Sequence, residues 1–289
     1  MHSIRLLVPT AVAAVLAVGA YAQPPSTVAA RETYAQLPGV RVWYTDSGGS
    51  GVPVVFLHAA TGSSRVWEYQ IPAFTAAGYR VIAYDRRGYG RTAIDPAAPQ
   101  PGTGADDLQN LMGHLGIDRF HLVGTAAGGF TALDYALSFP RRLRSLVIAN
   151  SIGGVTDAEY QKLGHRMRPP QFDALPPEVR ELGPSYRAAN PEGTERWIEL
   201  EHMSRAAGPP GPAQTMRNQI TFSLLETIQV PTLLLTGDAD LYAPPPVLRL
   251  FAARIKNSKS VIVPEAGHSA YWENPQLFNS AVLQFIREH

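Results

Sequence analysis

Short runs of β-branched and aliphatic residues recur along the chain, separated by segments whose apolar positions fall at helical spacing. That alternation predicts parallel β-α-β units. Val40 to Tyr44 alternates as an early strand. Val54 to His58, Arg80 to Tyr84, Phe120 to Val123, Leu146 to Ala149, Thr232 to Leu235 and Ser260 to Val263 follow, and the continuously apolar ones suit strands covered on both faces. Between them lie helix-like stretches such as Ala105 to Leu115, with Asp106 and Asp107 in its first turn and Gly116 just past its end. The prediction is an α/β protein with a doubly wound, mostly parallel sheet.

The rhythm breaks over residues 152–224, where prolines come in pairs (Pro169-Pro170, Pro176-Pro177, Pro209-Pro210) and no strand pattern survives. This stretch reads as a helical cap inserted between a first core part, 39–151, and a second, 225–289. Tyr160, Phe172, Tyr186, Trp197, Met203 and Met216 lie on its short amphipathic pieces. Trp197 and Met203, with Tyr271 from the second core part, are candidates to line an apolar substrate pocket. Any one of them taken alone is better explained by packing the cap onto the sheet.

Composition narrows the function. The chain has 289 residues, 45% hydrophobic and 17% charged, enough for a sizeable core. Its 25 basic residues are balanced by 24 acidic ones with no basic block, so nucleic acid is not an expected partner. There is no cysteine, hence no disulfide and no thiolate metal site, and neither H-E-x-x-H nor a G-x-x-x-x-G-K-[ST] loop occurs, so no metal and no cofactor are expected. At the N-terminus Arg5 precedes an apolar run, Leu6 to Ala20, that ends in Ala20-Tyr21-Ala22. Residues 1–22 read as a signal peptide cleaved after Ala22, followed by a polar lead over 23–38. The run is short, holds Pro9 and lacks a basic stop-transfer flank, so export to the periplasm or medium is expected rather than a stable membrane anchor.

Chemistry enters at Gly124-Thr125-Ala126-Ala127-Gly128, placed where a strand should end and a helix begin. Four further motifs accompany it: His58-Ala59-Ala60-Thr61 after an earlier strand, Asp85-Arg86-Arg87-Gly88-Tyr89-Gly90-Arg91-Thr92, Gly237-Asp238-Ala239-Asp240, and Ala266-Gly267-His268-Ser269. Together these resemble the α/β-hydrolase family, whose G-x-S-x-G elbow, oxyanion loop, D-x-R-G-x-G-x-S turn, strand-end acid and base they match from about Val40 to Ile286. The order nucleophile, acid, base is that of the family. Ala126 departs from it by standing at the serine position, and Ala59 by replacing a glycine.

The resemblance implies that His268 is the general base, that Asp240 rather than Asp238 orients it, and that the N–H groups of Ala60 and Ala127 form the oxyanion hole. It implies a carboxylic-ester hydrolase acting on a small-molecule ester or lactone, with an amidase or C-C bond hydrolase of the same fold as the enzymatic alternative. A methyl group cannot attack a carbonyl, so the chain with Ala126 is expected to be inactive. The favoured explanation is a Ser-to-Ala inactivation of a serine enzyme, with a natural non-catalytic small-molecule-binding homologue as the alternative. Among the other histidines, His58 is expected to be a packed strand-end residue, and Thr125 is expected to point away from the pocket.

Overall fold

A computed structural model describes residues 31–95, 97, 102–206 and 214–289. The export segment expected at 1–22, and the lead as far as residue 30, lie outside the described residues.

The strands are β1 (Arg31–Leu37), β2 (Val40–Asp46), β3 (Pro53–Leu57), β4 (Arg80–Tyr84), β5 (Ala93–Ile94), β6 (Phe120–Thr125), β7 (Leu143–Ala149), β8 (Thr232–Gly237) and β9 (Ser258–Val263). The helices are α1 (Gln70–Ala76), α2 (Gly104–His114), α3 (Ala127–Ser138), α4 (Ala158–Met167), α5 (Pro177–Glu181), α6 (Pro184–Ala189), α7 (Pro191–Met203), α8 (Phe222–Leu225), α9 (Pro245–Ala252), α10 (Ala270–Glu273) and α11 (Pro275–Arg287). The sheet runs β1-β2-β4-β3-β6-β7-β8-β9, with β5 pairing onto β2. From β4 to β9 every ladder is parallel, while β1, β2 and β4 pair antiparallel.

The alternation inside the buried strands explains the two-sided core. Val54 and Phe56 of β3, Val123 of β6, and Val147 and Ala149 of β7 face the layer containing Phe74 of α1, Phe278 and Phe285 of α11, and Trp67. Their neighbours Val55, Leu57, Leu122, Leu146 and Ile148 face the layer built from Leu108 and Leu111 of α2, Leu133 of α3 and Phe251 of α9. Successive side chains of a strand point to opposite faces, so a continuously apolar run is what a doubly covered strand requires.

Residues 31–37, read from sequence as part of a polar lead, form β1 instead. Arg31-Glu32-Thr33-Tyr34-Ala35-Gln36-Leu37 buries only Ala35 and Leu37 fully, which leaves too faint an apolar signal for a strand at a sheet edge. Pro38-Gly39 closes the hairpin, with Leu37 opposite Val40 and Gly39 at φ 68. Pro followed by a positive-φ Gly is the chemistry of a tight turn.

Between β7 and β8 the described chain is helical, α4 to α8, and carries no named strand. Helix α7 anchors this segment: Trp197 and Leu200 are buried in the same cluster as Trp67, Tyr271 and Trp272, and the Trp272 indole N–H donates to the Gly193 carbonyl at 3.1 Å. At the other end of α7, Gly90 N–H donates to the Ser204 carbonyl at 2.8 Å.

Candidate active site

The carboxyl ends of the central strands converge on one crevice. Thr125 of β6 lies beside Ala149 of β7, Ala149 beside Leu235 of β8, and Gly237 of β8 beside Val263 of β9. Residues that follow these strand ends therefore meet, as the switch-point rule for open α/β sheets requires.

Ala126 is the first. It joins β6 to α3 at φ 49, ψ −118, a conformation that residues with a Cβ rarely adopt. Three bonds fix it there: its N–H donates to the Ala149 carbonyl at 3.0 Å, and its carbonyl accepts from Gly129 N–H at 3.0 Å and the Ser151 hydroxyl at 2.7 Å. The flanking glycines are steric necessities. A Cβ on Gly124 would stand 2.6 Å from the Gly128 carbonyl oxygen, and one on Gly128 would stand 2.8 Å from that of His58, with the Leu57 carbonyl closer still. Strand and helix thus cross at backbone contact. Thr125 is fully buried, and Ser151 is committed to the Ala126 carbonyl.

Asp240 and His268 form the second element. His268 Nδ1 lies 2.8 Å and 2.9 Å from the two oxygens of Asp240, a distance at which Nδ1–H donates and Nε2 is left as the basic nitrogen. The carboxylate is fully subscribed. Its Oδ1 accepts from Tyr242 and Ala243 N–H at 2.7 and 2.9 Å, and its Oδ2 from Asn150 Nδ2 at 3.1 Å; the Thr236 hydroxyl lies 3.2 Å from Oδ2 but donates to the Ala243 carbonyl at 2.6 Å. Burial opposes its ionisation, yet the adjacent imidazole and these donors hold its pKa below the ordinary value. For His268 burial acts against the charged form, but Asp240, Glu181 and Glu273 outweigh it and raise the pKa. Asp238 is turned elsewhere, accepting from Glu265 N–H at 2.6 Å.

The loop after β3 supplies the third element. His58 is completely buried; its Nδ1–H donates to the Ala59 carbonyl at 2.7 Å and its Nε2 accepts from Arg86 N–H at 3.0 Å. Burial, reinforced by the Arg86 charge, pushes its pKa well below the ordinary value, so it is a neutral brace for the turn that presents Ala60. Ala127 begins α3, and the leading N–H groups of a helix have no acceptor within it. Their partial positive charge favours an anion at that point.

The second carboxylate layer was not legible in the sequence. Glu273 accepts from Gly267 N–H at 2.9 Å, Gly183 N–H at 2.7 Å and Ser269 N–H at 3.2 Å, clamping the His268 loop to the segment between α5 and α6. Burial pushes it up to about 7 against the pull of those amides. Glu181 reaches the same loop through its backbone, its carbonyl accepting from His268 and Ser269 N–H at 2.7 and 3.1 Å. The only available signal was the position of Glu273 five residues after His268; nothing local marks Asn150, Tyr242 or Glu181.

Of the pocket candidates, Trp197 and Tyr271 are taken up in packing, Tyr271 with its ring centroid 4.8 Å from that of Trp67, while Met203 is 45% exposed. The large cavity, of about 380 Å³, is lined instead by Phe130, Ile152, Tyr160, Arg168, Tyr242 and their neighbours. Tyr242 joins it to the charge pair, its ring centroid lying 4.3 Å from that of His268. Among the described residues there is no group of acids and histidines that could hold a metal ion, and no helix is long and apolar enough to cross a membrane.

Comparison with known proteins agrees with this geometry. The model of the alpha/beta hydrolase family matches residues 54–281, and the chain belongs to that family. A Caulobacter sp. (strain K31) protein named as the carbamate hydrolase RutD is 32% identical over 78% of this chain and 87% of its own. A 2-hydroxy-6-oxononadienedioate/2-hydroxy-6-oxononatrienedioate hydrolase of Burkholderia vietnamiensis is 27% identical over 86% and 91% respectively. Among solved structures, an esterase from Thermogutta terrifontis, described with malate bound, superposes with a TM-score of 0.71 at 27% identity, covering 90% of this chain and 98% of that one. The fold is that of the α/β hydrolases, and homologues with hydrolase names point to hydrolytic chemistry on small molecules.

Proposed function

We propose that this site is that of a carboxylic-ester hydrolase, esterase or lactonase, in which Ala126 occupies the place of the serine nucleophile. The observation that carries the reading is the bifurcated His268 Nδ1–Asp240 contact, 2.8 and 2.9 Å, at the strand edge that also holds the strained Ala126 turn. Such a pair fixes one imidazole tautomer and leaves Nε2 to take a proton from a hydroxyl. With serine at 126, attack on the ester carbonyl places negative charge between the N–H groups of Ala60 and Ala127. Each such donor, aimed in advance, contributes roughly 3 kcal/mol to the transition state. Nε2 then returns the proton to the leaving alkoxide, and water repeats the cycle on the acyl-enzyme.

With a methyl group at 126 the chain itself binds substrate without turnover. The Ala126→Ser variant tests the proposal: it should hydrolyse short-chain p-nitrophenyl esters while the present chain does not. Adding His268→Ala should then remove several orders of magnitude of turnover and leave the fold intact. A serine form inert on every ester would favour a binding protein, and one active only on amides or vinylogous diketones would move the assignment to amidase or C-C hydrolase. Export through residues 1–22 is part of the same proposal and rests on sequence; N-terminal sequencing of the protein recovered outside the cytoplasm should begin at Gln23.

A further inference from the structure

The cavity of about 380 Å³ beside the charge pair has two unlike walls. One is apolar, built from Phe130, Ile152, Val155 and Val247. The other is polar: Gln161 and His165, four residues apart on α4 and both exposed, and Arg168, the extended residue that ends the helix. Among the described residues none of these three side chains makes a hydrogen bond or an ion pair within the protein, and none of the undescribed residues is an acid that could supply one.

Arg168 is the sharpest case. Its guanidinium stands over the rings of Phe172 and Tyr242, at 5.3 and 5.4 Å, and its Nε is buried without a partner. A guanidinium always carries its charge and offers a planar fork matched to a carboxylate. Glu181 and Asp173, whose charges reach Tyr242, are beyond ion-pair distance of it. Tyr242 links the cavity to the charge pair: one ring lies under Arg168 and against His268, which puts the imidazole directly behind this part of the cavity wall.

We propose that this cavity is the subsite for an anionic end of the substrate. The preferred substrates are then esters or lactones carrying a free carboxylate separated from the reacting carbonyl by an apolar chain, such as half-esters of aliphatic dicarboxylic acids. Arg168 binds the carboxylate, Gln161 and His165 donate to it, and the apolar wall holds the methylene chain. The inference rests on the ester-hydrolase reading for which carbonyl reacts, but the anion site itself does not depend on turnover.

Calorimetric titration of the full chain, with Ala126 in place, against monomethyl adipate and dimethyl adipate separates the two. The half-ester should bind at least tenfold more tightly than the diester. Arg168→Gln should erase that difference, and Arg168→Lys should keep part of it. Equal affinity for the two esters, no detectable half-ester binding, or a preference that survives in Arg168→Gln would overturn the proposal. In the Ala126→Ser background the Arg168→Gln substitution should lower kcat/KM for the half-ester, through KM, at least tenfold more than it lowers that for the diester. If the serine form hydrolyses neither ester, the hydrolase reading fails, and the titration still decides the anion site.

Discussion

Asn150 donates its side-chain amide to Asp240 Oδ2 at 3.1 Å from a position directly after β7, in a left-handed conformation with φ 48. The same nitrogen donates to the Gly267 carbonyl at 2.9 Å, so one amide ties the acid to the loop that carries His268. Its backbone N–H is fixed in turn on Leu235 O at 2.7 Å, and the preceding residue, Ala149, accepts from Ala126. Three strand ends are thereby held in register by one side chain. Asparagine is the residue with a Cβ that best tolerates this backbone region while offering an amide.

Asn150→Ala should therefore destabilise the fold by about 2 kcal/mol, the magnitude of leaving a buried carbonyl and carboxylate oxygen short of a donor. Urea unfolding monitored by tryptophan fluorescence would measure it. A midpoint shift within error of zero would mean that water replaces the amide, and that Asn150 does not hold the acid in place.

The close crossing of β6 and α3 gives a harsher outcome. Gly128→Ala would drive a methyl group into the carbonyls of Leu57 and His58, and Gly124→Ala one to within 2.6 Å of the Gly128 oxygen. These neighbours are backbone and cannot step aside as a side-chain tip would. Each substitution should destabilise by more than about 3 kcal/mol, at the upper end of overpacking effects. By contrast Gly113→Ala, in α2 with nothing within 4 Å of the added methyl, should be neutral or mildly stabilising. Thermal melts of the three variants would rank them.

The central sheet and the charge pair were legible because both announce themselves locally. A run such as Val54-Val55-Phe56-Leu57 reads as a strand whatever surrounds it, and Arg80 to Tyr84 appears with the bounds expected from sequence. Gly237-Asp238-Ala239-Asp240 and Gly267-His268 sit directly after such runs, so the sheet topology alone brings them together. β1 was missed because an edge strand buries one face, and here that face offers only Ala35 and Leu37 as fully buried residues. Pocket-forming residues were illegible for another reason: Trp197 and Tyr271 are large and apolar whether they line a cavity or fill a core. Only the packing of α7 against Trp67 and Trp272 shows which they do.

Charge around His268 sets a pH signature. Although burial disfavours the imidazolium, the carboxylates of Asp240, Glu181 and Glu273 prevail and its pKa lies above the ordinary 6.5. A raised histidine pKa contributes stability that is complete below 6.5 and is lost as pH rises through the folded-state value. In the Ala126→Ser form the base must be neutral, so the acid limb of kcat/KM should fall above pH 6.5. Glu181→Gln removes one negative neighbour without touching the backbone bonds that Glu181 makes to the loop, and should move that limb to lower pH. An unmoved limb would mean that Glu181 is protonated across the range, in keeping with the burial that raises its own pKa.

The backbone at position 126 bears on stability in a way that is separable from catalysis. At φ 49, ψ −118 a residue with a Cβ is strained by roughly 1–3 kcal/mol, and neither alanine nor serine escapes this because both carry the same Cβ. Glycine does escape it, at an entropic cost of about 0.5–1 kcal/mol in the unfolded chain. Position 126 caps α3, where glycine is as acceptable as alanine, so no helix propensity is forfeited. Ala126→Gly should thus be more stable than the present chain by about 1 kcal/mol, and Ala126→Ser no more stable than alanine. Both differences are readable by chemical denaturation of the three proteins at one pH. A glycine variant weaker than alanine would show that the bonds from Ala149, Gly129 and Ser151 set this conformation without strain. The geometry would then need a cause other than holding the side chain of residue 126 out toward the crevice.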